Sequence, residues 1–467
     1  MAVPTITFNS STGSDTQASG AGPATALFGT GAALASNTSI DLSADAPTLT
    51  GVDITGLATI WVATSSGRQH FKITNVNNTT KIVTVDDAAA VTESGRTWGI
   101  GGKRATWDAA SSRRLFTNDA KAGWTIQTET NQAITSTTIN CNSAIGDMNS
   151  ARGPITVKGT ITAKASRVVI STVGNINILT ASQNNWMFRN MLFSCSSGTK
   201  TNNTGITQTN NSRGIVVQNC GNLEATPCYN GFFRGTSGFH SATIVDCEWD
   251  GCVAVGISAF SGGGSTVAID SCSVSRNGGD GIYLNSQAAF SVTNCFICDN
   301  VGDGIDLEAS FSVDDYGPRV IAHNTFDDNG ESAIDWDNNP DMFGGVCIHS
   351  NFFTNNTGTA VIAPSTSGTT TNNMAVGLFD YNVYFGNGGT VSNITLGAND
   401  LTAVDPDYVD AASNDWTPQA AGVVGAAYPG IGNNFPGTST PNNNFPGPAQ
   451  SSGGGGGATE NFGASWG

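Results

Sequence analysis

Two short segments, Ile305-Asp306-Leu307-Glu308 and Ile334-Asp335-Trp336-Asp337, each carry two carboxylates separated by one apolar residue. In an extended strand successive side chains point to opposite faces, so Asp306 and Glu308 share one face while Ile305 and Leu307 share the other. Two chemistries suit such a set. Carboxylates ~5–9 Å apart work as acid and base, or acid and nucleophile, in glycosidic-bond hydrolysis. The candidates for that role are Asp306, Glu308, Asp335 and Asp337. Clustered hard oxygen ligands also suit Ca²⁺, and Asp303, Asp306 and Asp335 are the candidate calcium ligands. The plain alternative is a solvated acidic stripe that keeps the chain soluble. Asp280 and Asp303 decorate neighbouring turns, and Asp314, Asp315, Asp327 and Asp328 lie in flanking loops. His323 and His349 are either acid–base partners or ordinary surface residues at turn edges.

Whether those carboxylates meet depends on what positions them, and two series of residues answer that. One runs Cys247, Cys272, Cys295, Asn324, Asn351, Asn382; the other runs Ile257, Ile282, Ile305, Ile334, Val361. Over their first five members both series step by 25, 23, 29 and 27 residues. Two features that keep the same changing step define one structural turn per unit, with insertions between the matched segments. Cys220 and Asn190 extend the first series upstream. Two residues past each rung stand Trp249, Val274, Ile297, Phe326, Phe353 and Tyr384, which alternation puts on the inner side with the rung. Gly- and Asn-rich turns follow, such as Asn277-Gly278-Gly279-Asp280 and Asn300-Val301-Gly302-Asp303.

Short strands, a repeat of this length and stacked like residues predict a parallel β-helix, because one coil cannot bury its apolar face and stacked coils share a core. About eight regular coils would make a rod ~40 Å long at the ~4.8 Å strand spacing. The register places Asp306 over Asp335 and Glu308 over Asp337. It puts Trp336 in the core, and leaves Tyr283, Tyr316 and Tyr381 either in the core or on a sugar-stacking surface.

The 467 residues include 58 Gly and only 12% charged residues, with a formal net charge of −17. Gly and Asn suit tight turns between short strands, and amphipathic helical runs are nearly absent, so the chain reads as all-β. A nucleic-acid partner is not expected, since phosphate binding needs a basic stripe. No apolar run long enough to span a membrane occurs. Met1 to Thr5 opens neither a basic nor an apolar leader region, so a secretory leader is not expected. Several of the ten Cys sit on the repeat itself, where they serve as small buried hydrophobes, and reduced thiols are expected. Cys295 and Cys298 form the one CxxC, and a strand would point them to opposite faces.

Four regions follow. Residues 1–130 read as a small N-terminal β domain for attachment or capping, and 131–400 as the parallel β-helix. Residues 401–450 read as an irregular cap and 451–467 as a Gly-rich flexible tail. Much of the positive charge, including Arg68, Lys72, Lys103, Arg104 and Arg113, falls in the first region.

The rung residues, the apolar residue two places on, the Asn-Gly turn and the Gly-Ile that follows resemble the right-handed parallel β-helix repeat family, also called pectate-lyase-like. The resemblance is carried by residues 266–361 and speaks to fold, because that family spans lyases, hydrolases, epimerases, adhesins and viral spikes. No segment matches a catalytic motif of its lyase or polygalacturonase branches. The N-terminal region, including Gly13 to Ala32 and Trp98-Gly99-Ile100-Gly101-Gly102-Lys103-Arg104, is similar to heads of bacteriophage virion proteins with β-helical bodies. That resemblance implies a homotrimeric virion component, assembled in the host cytoplasm and joined to other virion proteins through its N-terminal domain. It also implies contact with cell-surface polysaccharide. A free, extracellular polysaccharide-degrading enzyme is the alternative, and a bacterial adhesin is disfavoured by the missing leader.

Overall fold

The computed structural model describes residues 5–12, 27–34, 38–45, 59–142, 153–410 and 415–418, with short breaks inside the longer spans. The expected tail, 451–467, and all but the start of the expected cap lie outside the described residues. Three parallel sheets of eleven, ten and eleven described strands wrap around one core. Sheet I runs from Thr5–Phe8 to Leu378–Asp380, sheet II from Ile139–Cys141 to Gly389–Ser392, and sheet III from Gln132–Ile134 to Leu401–Thr402. A regular coil takes one strand from each in the chain order I, III, II, as in Thr266–Asp270, Ser273–Ser275 and Ile282–Asn285. The next coil opens with Ala289–Thr293, paired in parallel with Thr266–Asp270. This is the parallel β-helix that the two series imply.

Both series are in register and buried. Ile257, Ile282, Ile305, Ile334 and Val361 pair successively across sheet II. The inner residues of sheet III stack as well, with ring centroids 5.1 Å apart for Phe326 and Phe353 and 5.2 Å for Phe353 and Tyr384. The unequal steps come from the sheet II to sheet I connections, which run from Asn285 to Ala289 in one coil but from Glu308 to Arg319 in the next.

The corner from sheet I to sheet III is turned by one residue with φ between 51° and 61°: Asn190, Asn219, Asp246, Ser271, Asn294, His323, Ser350 and Tyr381. A side chain in this left-handed region costs ~1–2 kcal/mol. The residue after each from Asn219 onward is a Cys or Asn of the first series, whose bonds hold the corner. Asn324 Nδ2 donates to Val292 O at 2.9 Å and to Asn351 Oδ1 at 3.1 Å, while Asn324 Oδ1 accepts the Cys295 N–H at 2.9 Å. His323 and Tyr381 are thus corner residues.

Five residues after each rung runs a second series, Cys252, Asn277, Asn300, Asn329 and Asn356, all buried, ending at the half-buried Asn387. Each Asn Nδ2 from Asn277 to Asn356 donates to the next Asn Oδ1 at 2.8–2.9 Å. It keeps step with the first series, so Asn277 and Asn300 are rungs as well as turn residues.

The antiparallel strands Leu27–Leu34, Ser39–Asp41, Ile82–Val85, Gly67–Asn77, Thr59–Thr64 and Glu93–Ile100 close a barrel around its own core of Ile60, Val62, Ile73 and Trp98. Asp45 Oδ2 closes one side, accepting the Trp98 indole N–H and the Gly31 N–H, both at 2.6 Å. Thr5–Phe8 precedes the barrel in the chain yet pairs with Thr125–Thr128 in sheet I. The rod therefore begins ahead of the barrel, not at residue 131 as the repeat alone suggests. It also gains irregular first rungs that the eight counted coils omitted. Trp107, Leu115 and Phe116, on and beside the short helical turns Ala110–Arg114 and Leu115–Asp119, join the rod core. Fully buried Arg104 links this region to the barrel, donating to Ser112 Oγ at 3.0 Å and lying 3.2 Å from His70 Nε2.

Asn329→Ala would take the acceptor from the buried Asn300 N–H, one of the two acceptors of Asn300 Nδ2, and the amide donor from Ile297 O. At ~1–3 kcal/mol per unsatisfied group it should lower stability by ~3 kcal/mol or more. Cys272→Ala removes only a small apolar side chain and should cost ~1 kcal/mol. Denaturant titration of the two variants checks the order.

Candidate functional site

The outward positions of sheet II form one column down the rod: Phe233, Ser258, Tyr283, Asp306, Asp335 and Ile362, each in register with the next. The inner neighbours Ile282, Leu284, Ile305, Leu307 and Trp336 are buried, which fixes the outer set by alternation. Three aromatic residues open the column. Phe260 lies 4.8 Å from Tyr283 and 5.9 Å from Phe233, ring centroid to centroid, at interplanar angles of 47° and 52°. All three are half-buried, so part of each ring faces outward.

Asn285 joins the aromatic and acidic parts. Its Nδ2 donates to Tyr283 Oη at 3.2 Å and to Glu308 Oε2 at 2.9 Å, with Glu308 itself exposed. Asp306 and Asp335 are half-buried neighbours on successive coils. Their strands are ~4.8 Å apart, so two full negative charges here repel strongly. Asp337, Asp314, Asp315 and Tyr316 lie outside the described residues.

Asp303 is the most perturbed carboxyl group of this site. It lies two residues before Ile305, at the edge of sheet II, and is only 6% exposed. Its Oδ1 accepts the Ser332 N–H at 2.7 Å, and its own N–H donates to Asp280 Oδ1 at 3.0 Å. Burial first, then the nearby charges of Asp335, Asp280 and Glu331, push its pKa up to about 8 against the opposing pull of the Ser332 N–H. Asp280 is shifted upward mainly by burial, with Glu331 adding to it. Asp303 thus holds a proton at neutral pH, which relieves the crowding.

The same column position does a structural job elsewhere with a neutral side chain. Asn177 Oδ1 accepts the Thr204 N–H at 3.1 Å and Asn230 Oδ1 accepts the Val255 N–H at 3.2 Å. An amide therefore suffices to tie one coil to the next, and the two acids bring titratable groups that the tie does not need. The sequence reading placed Asp303 among turn decorations and calcium ligands. Its position two residues before a ladder isoleucine, shared with Asp280, was the available signal.

Among the described residues no group of three His, Cys, Asp or Glu is arranged to hold a metal ion. Asp303, Asp306 and Asp335, the candidate calcium ligands, form no such group. His323 and His349 sit at the sheet I to sheet III corner, with rings 5.7 Å apart. Burial, reinforced by His349, lowers His323 to about 4, so it is neutral at physiological pH. Burial also lowers His349. They belong to a different corner from the sheet II column.

Residues 178–376 match the family model of the right handed beta helix region. No curated protein sequence matches the chain. Among solved structures, pectate lyase Pel9A is 13% identical with a TM-score of 0.42, over 67% of this chain and 79% of that one. The tailspike protein of Acinetobacter phage vB_ApiP_P1 is 13% identical with a TM-score of 0.32, over 60% of this chain and 55% of that one. The tailspike protein gp49 of Pseudomonas phage LKA1 is 14% identical with a TM-score of 0.27, over 86% of this chain and 72% of that one. The body of the chain is a right-handed parallel β-helix, and its role must be argued from its own surface.

A carboxyl group whose pKa is raised in the folded state favours folding at low pH. The contribution of Asp303 is full below the unfolded value of 3.8 and is lost as pH rises through about 8. Asp303→Asn keeps an oxygen for the Ser332 N–H and removes the titration. The variant should melt higher than the parent at pH 9, by on the order of 2 °C, with the advantage gone near pH 4. Thermal melts across that range test this, and parallel curves would refute it.

Proposed function

We infer that the protein is a structural, host-recognition component of a bacteriophage virion, a spike or fibre whose rod offers the outer face of sheet II to a cell-surface polysaccharide. The observation that carries the recognition role is the make-up of that face. Phe233, Phe260 and Tyr283 present ring surface, and Asn285, Glu308, Asp306 and Asp335 follow with donors and acceptors for hydroxyl groups. Because the column lies on stacked strands, its members are held by the core behind them and lose little freedom on binding. The acidic end and the net charge of −17 favour a neutral or amino-sugar polymer over a uronic-acid one. The virion setting rests on the sequence resemblance of the head and on the barrel lying at the rod's N-terminal end, where attachment to other virion proteins would leave sheet II clear. Three copies would assemble in that setting.

A second reading is favoured by one specific feature, the proton held by Asp303 beside Asp335. A protonated carboxyl group next to ionised ones is the arrangement of a glycoside hydrolase, with Asp303 as proton donor and Asp335 or Asp306 as base or nucleophile. Glu308 and Asp337, named with them from the sequence, would then line the sugar-binding part of the same face.

Affinity electrophoresis through neutral, amino-sugar and uronic-acid polysaccharides tests recognition. Tyr283→Ala and Phe260→Ala should each weaken binding ~10-fold without changing the melting temperature by more than a few degrees. Equal retention of parent and variants by every polymer would end this assignment of the face. Absence of the chain from purified phage particles by mass spectrometry would end the virion setting.

For the hydrolytic reading, reducing-end release from a bound polymer should fall at least ~100-fold in Asp335→Asn and in Asp303→Asn. Asparagine already does the structural job at the Asp303 position in other coils, so a loss there would be chemical. Unchanged turnover in both variants would exclude these carboxyl groups.

A further inference from the structure

One cysteine pair differs from the other stacked thiols. Cys220, Cys247, Cys272 and Cys295 each aim the thiol at main-chain carbonyls, with Sγ 3.4 Å from Gln218 O, 3.3 Å from Val245 O, 3.2 Å from Asp270 O and 3.1 Å from Thr293 O, respectively. Those sulfurs share a column, yet each has an oxygen acceptor. Cys195 and Cys228 instead face one another, with their Sγ atoms 2.7 Å apart. Cys195 ends the sheet III strand Met191–Cys195, and Cys228 lies one coil further on, ahead of the sheet II strand Asn230–Arg234. Main-chain bonds hold the two coils at this height, Cys195 N–H donating to Thr226 O at 2.9 Å and Tyr229 N–H to Asn203 O at 2.7 Å. Both side chains are fully buried in the rod core.

A disulfide has its sulfurs about 2.05 Å apart. The pair is therefore less than ~1 Å from bonding distance, a gap that small side-chain rotations can close while the strands stay in place. We propose that Cys195 and Cys228 form a coil-to-coil disulfide when the chain meets a low-molecular-weight disulfide such as oxidised glutathione. Neither is in a disulfide in the structure, so this is the reduced form of the pair. In the reaction one Cys thiolate attacks the glutathione disulfide, releasing one reduced glutathione and leaving a mixed disulfide. The second Cys thiolate then displaces the other reduced glutathione. The two cysteines lose two electrons and two protons, and one glutathione disulfide becomes two thiols. Burial directs this chemistry to the folding chain, or to a locally opened coil, because the closed rod shields the sulfurs. The product closes a loop between residues 33 apart and so restricts the unfolded chain. Cys252, one coil beyond Cys228 and near enough to Cys195 for the two thiols to interact, is the competing partner.

The test uses the full chain in two arms: native protein incubated with oxidised glutathione, and protein refolded from urea in a buffer of reduced and oxidised glutathione. In at least one arm the thiol count after denaturation should fall from ten by two. Peptide mapping without reductant should then show the peptide containing Cys195 linked to the one containing Cys228. The oxidised form should melt higher than the reduced form by on the order of 5 °C. That difference should vanish in Cys195→Ala and persist in Cys252→Ala. Ten free thiols in both arms would overturn the proposal, as would a link from Cys252 to either Cys195 or Cys228. The mapping of the parent protein decides the matter even if a variant fails to fold.

Discussion

A buried asparagine that faces the rod's interior has to find its partners in the coil before or after it. The spacing is set by the strand separation of ~4.8 Å and allows one answer, a chain of like groups in register. The two asparagine series are that answer. Each amide takes an N–H from the preceding coil and returns its own donors to a carbonyl of that coil and to the next amide, as at Asn324 and Asn329. Where the series are built from Cys the polar demand is smaller, and the changeover comes where a Cys N–H first meets an amide, at Cys252 with Asn277 and at Cys295 with Asn324. The left-handed corner residues are tolerated because these bonds pin the backbone on either side.

This constraint also shapes the surface. Stacking that is favourable for amides inside is unfavourable for charges outside, since it brings Asp306 and Asp335 to adjacent strands with no room to separate. Sheet III handles a similar problem by pairing: Arg276 reaches both Asp250 and Glu224. Sheet II handles it by protonation, with Asp303 raised to about 8. The raised Asp303 and the aromatic ledge set this face apart from a plain acidic stripe. That difference is the physical basis for reading a function there.

The barrel poses a separate problem of placement. Its core is its own, and its contact with the rod passes through buried groups, Arg104 against His70 and Ser112. Insertion between the first two strands of sheet I means that both ends of the barrel segment are anchored in the rod. A head held at two points is more firmly oriented than one on a single linker.

Much of this architecture was legible in the sequence, and the reason is periodicity. A repeating coil writes the same demand at every step, so Ile305 and Ile334, or Cys295 and Asn324, announce their stacking by spacing alone. Alternation within a strand then fixes which side chains face out, and so places Asp306 over Asp335 before any coordinates are known. What spacing cannot express is environment. The proton on Asp303 depends on burial and on three acids drawn from other coils. The neutrality of His323 depends on its corner, and the aromatic ledge depends on Phe260 lying beyond the end of its strand. The entry of Thr5–Phe8 into sheet I and the meeting of Cys195 with Cys228 join residues outside the regular step. The coil and its register follow from residue order alone, because they are local and repeated. Charge state, side-chain convergence and the start of the rod follow from the folded chain, because each is set by neighbours brought in from a distance.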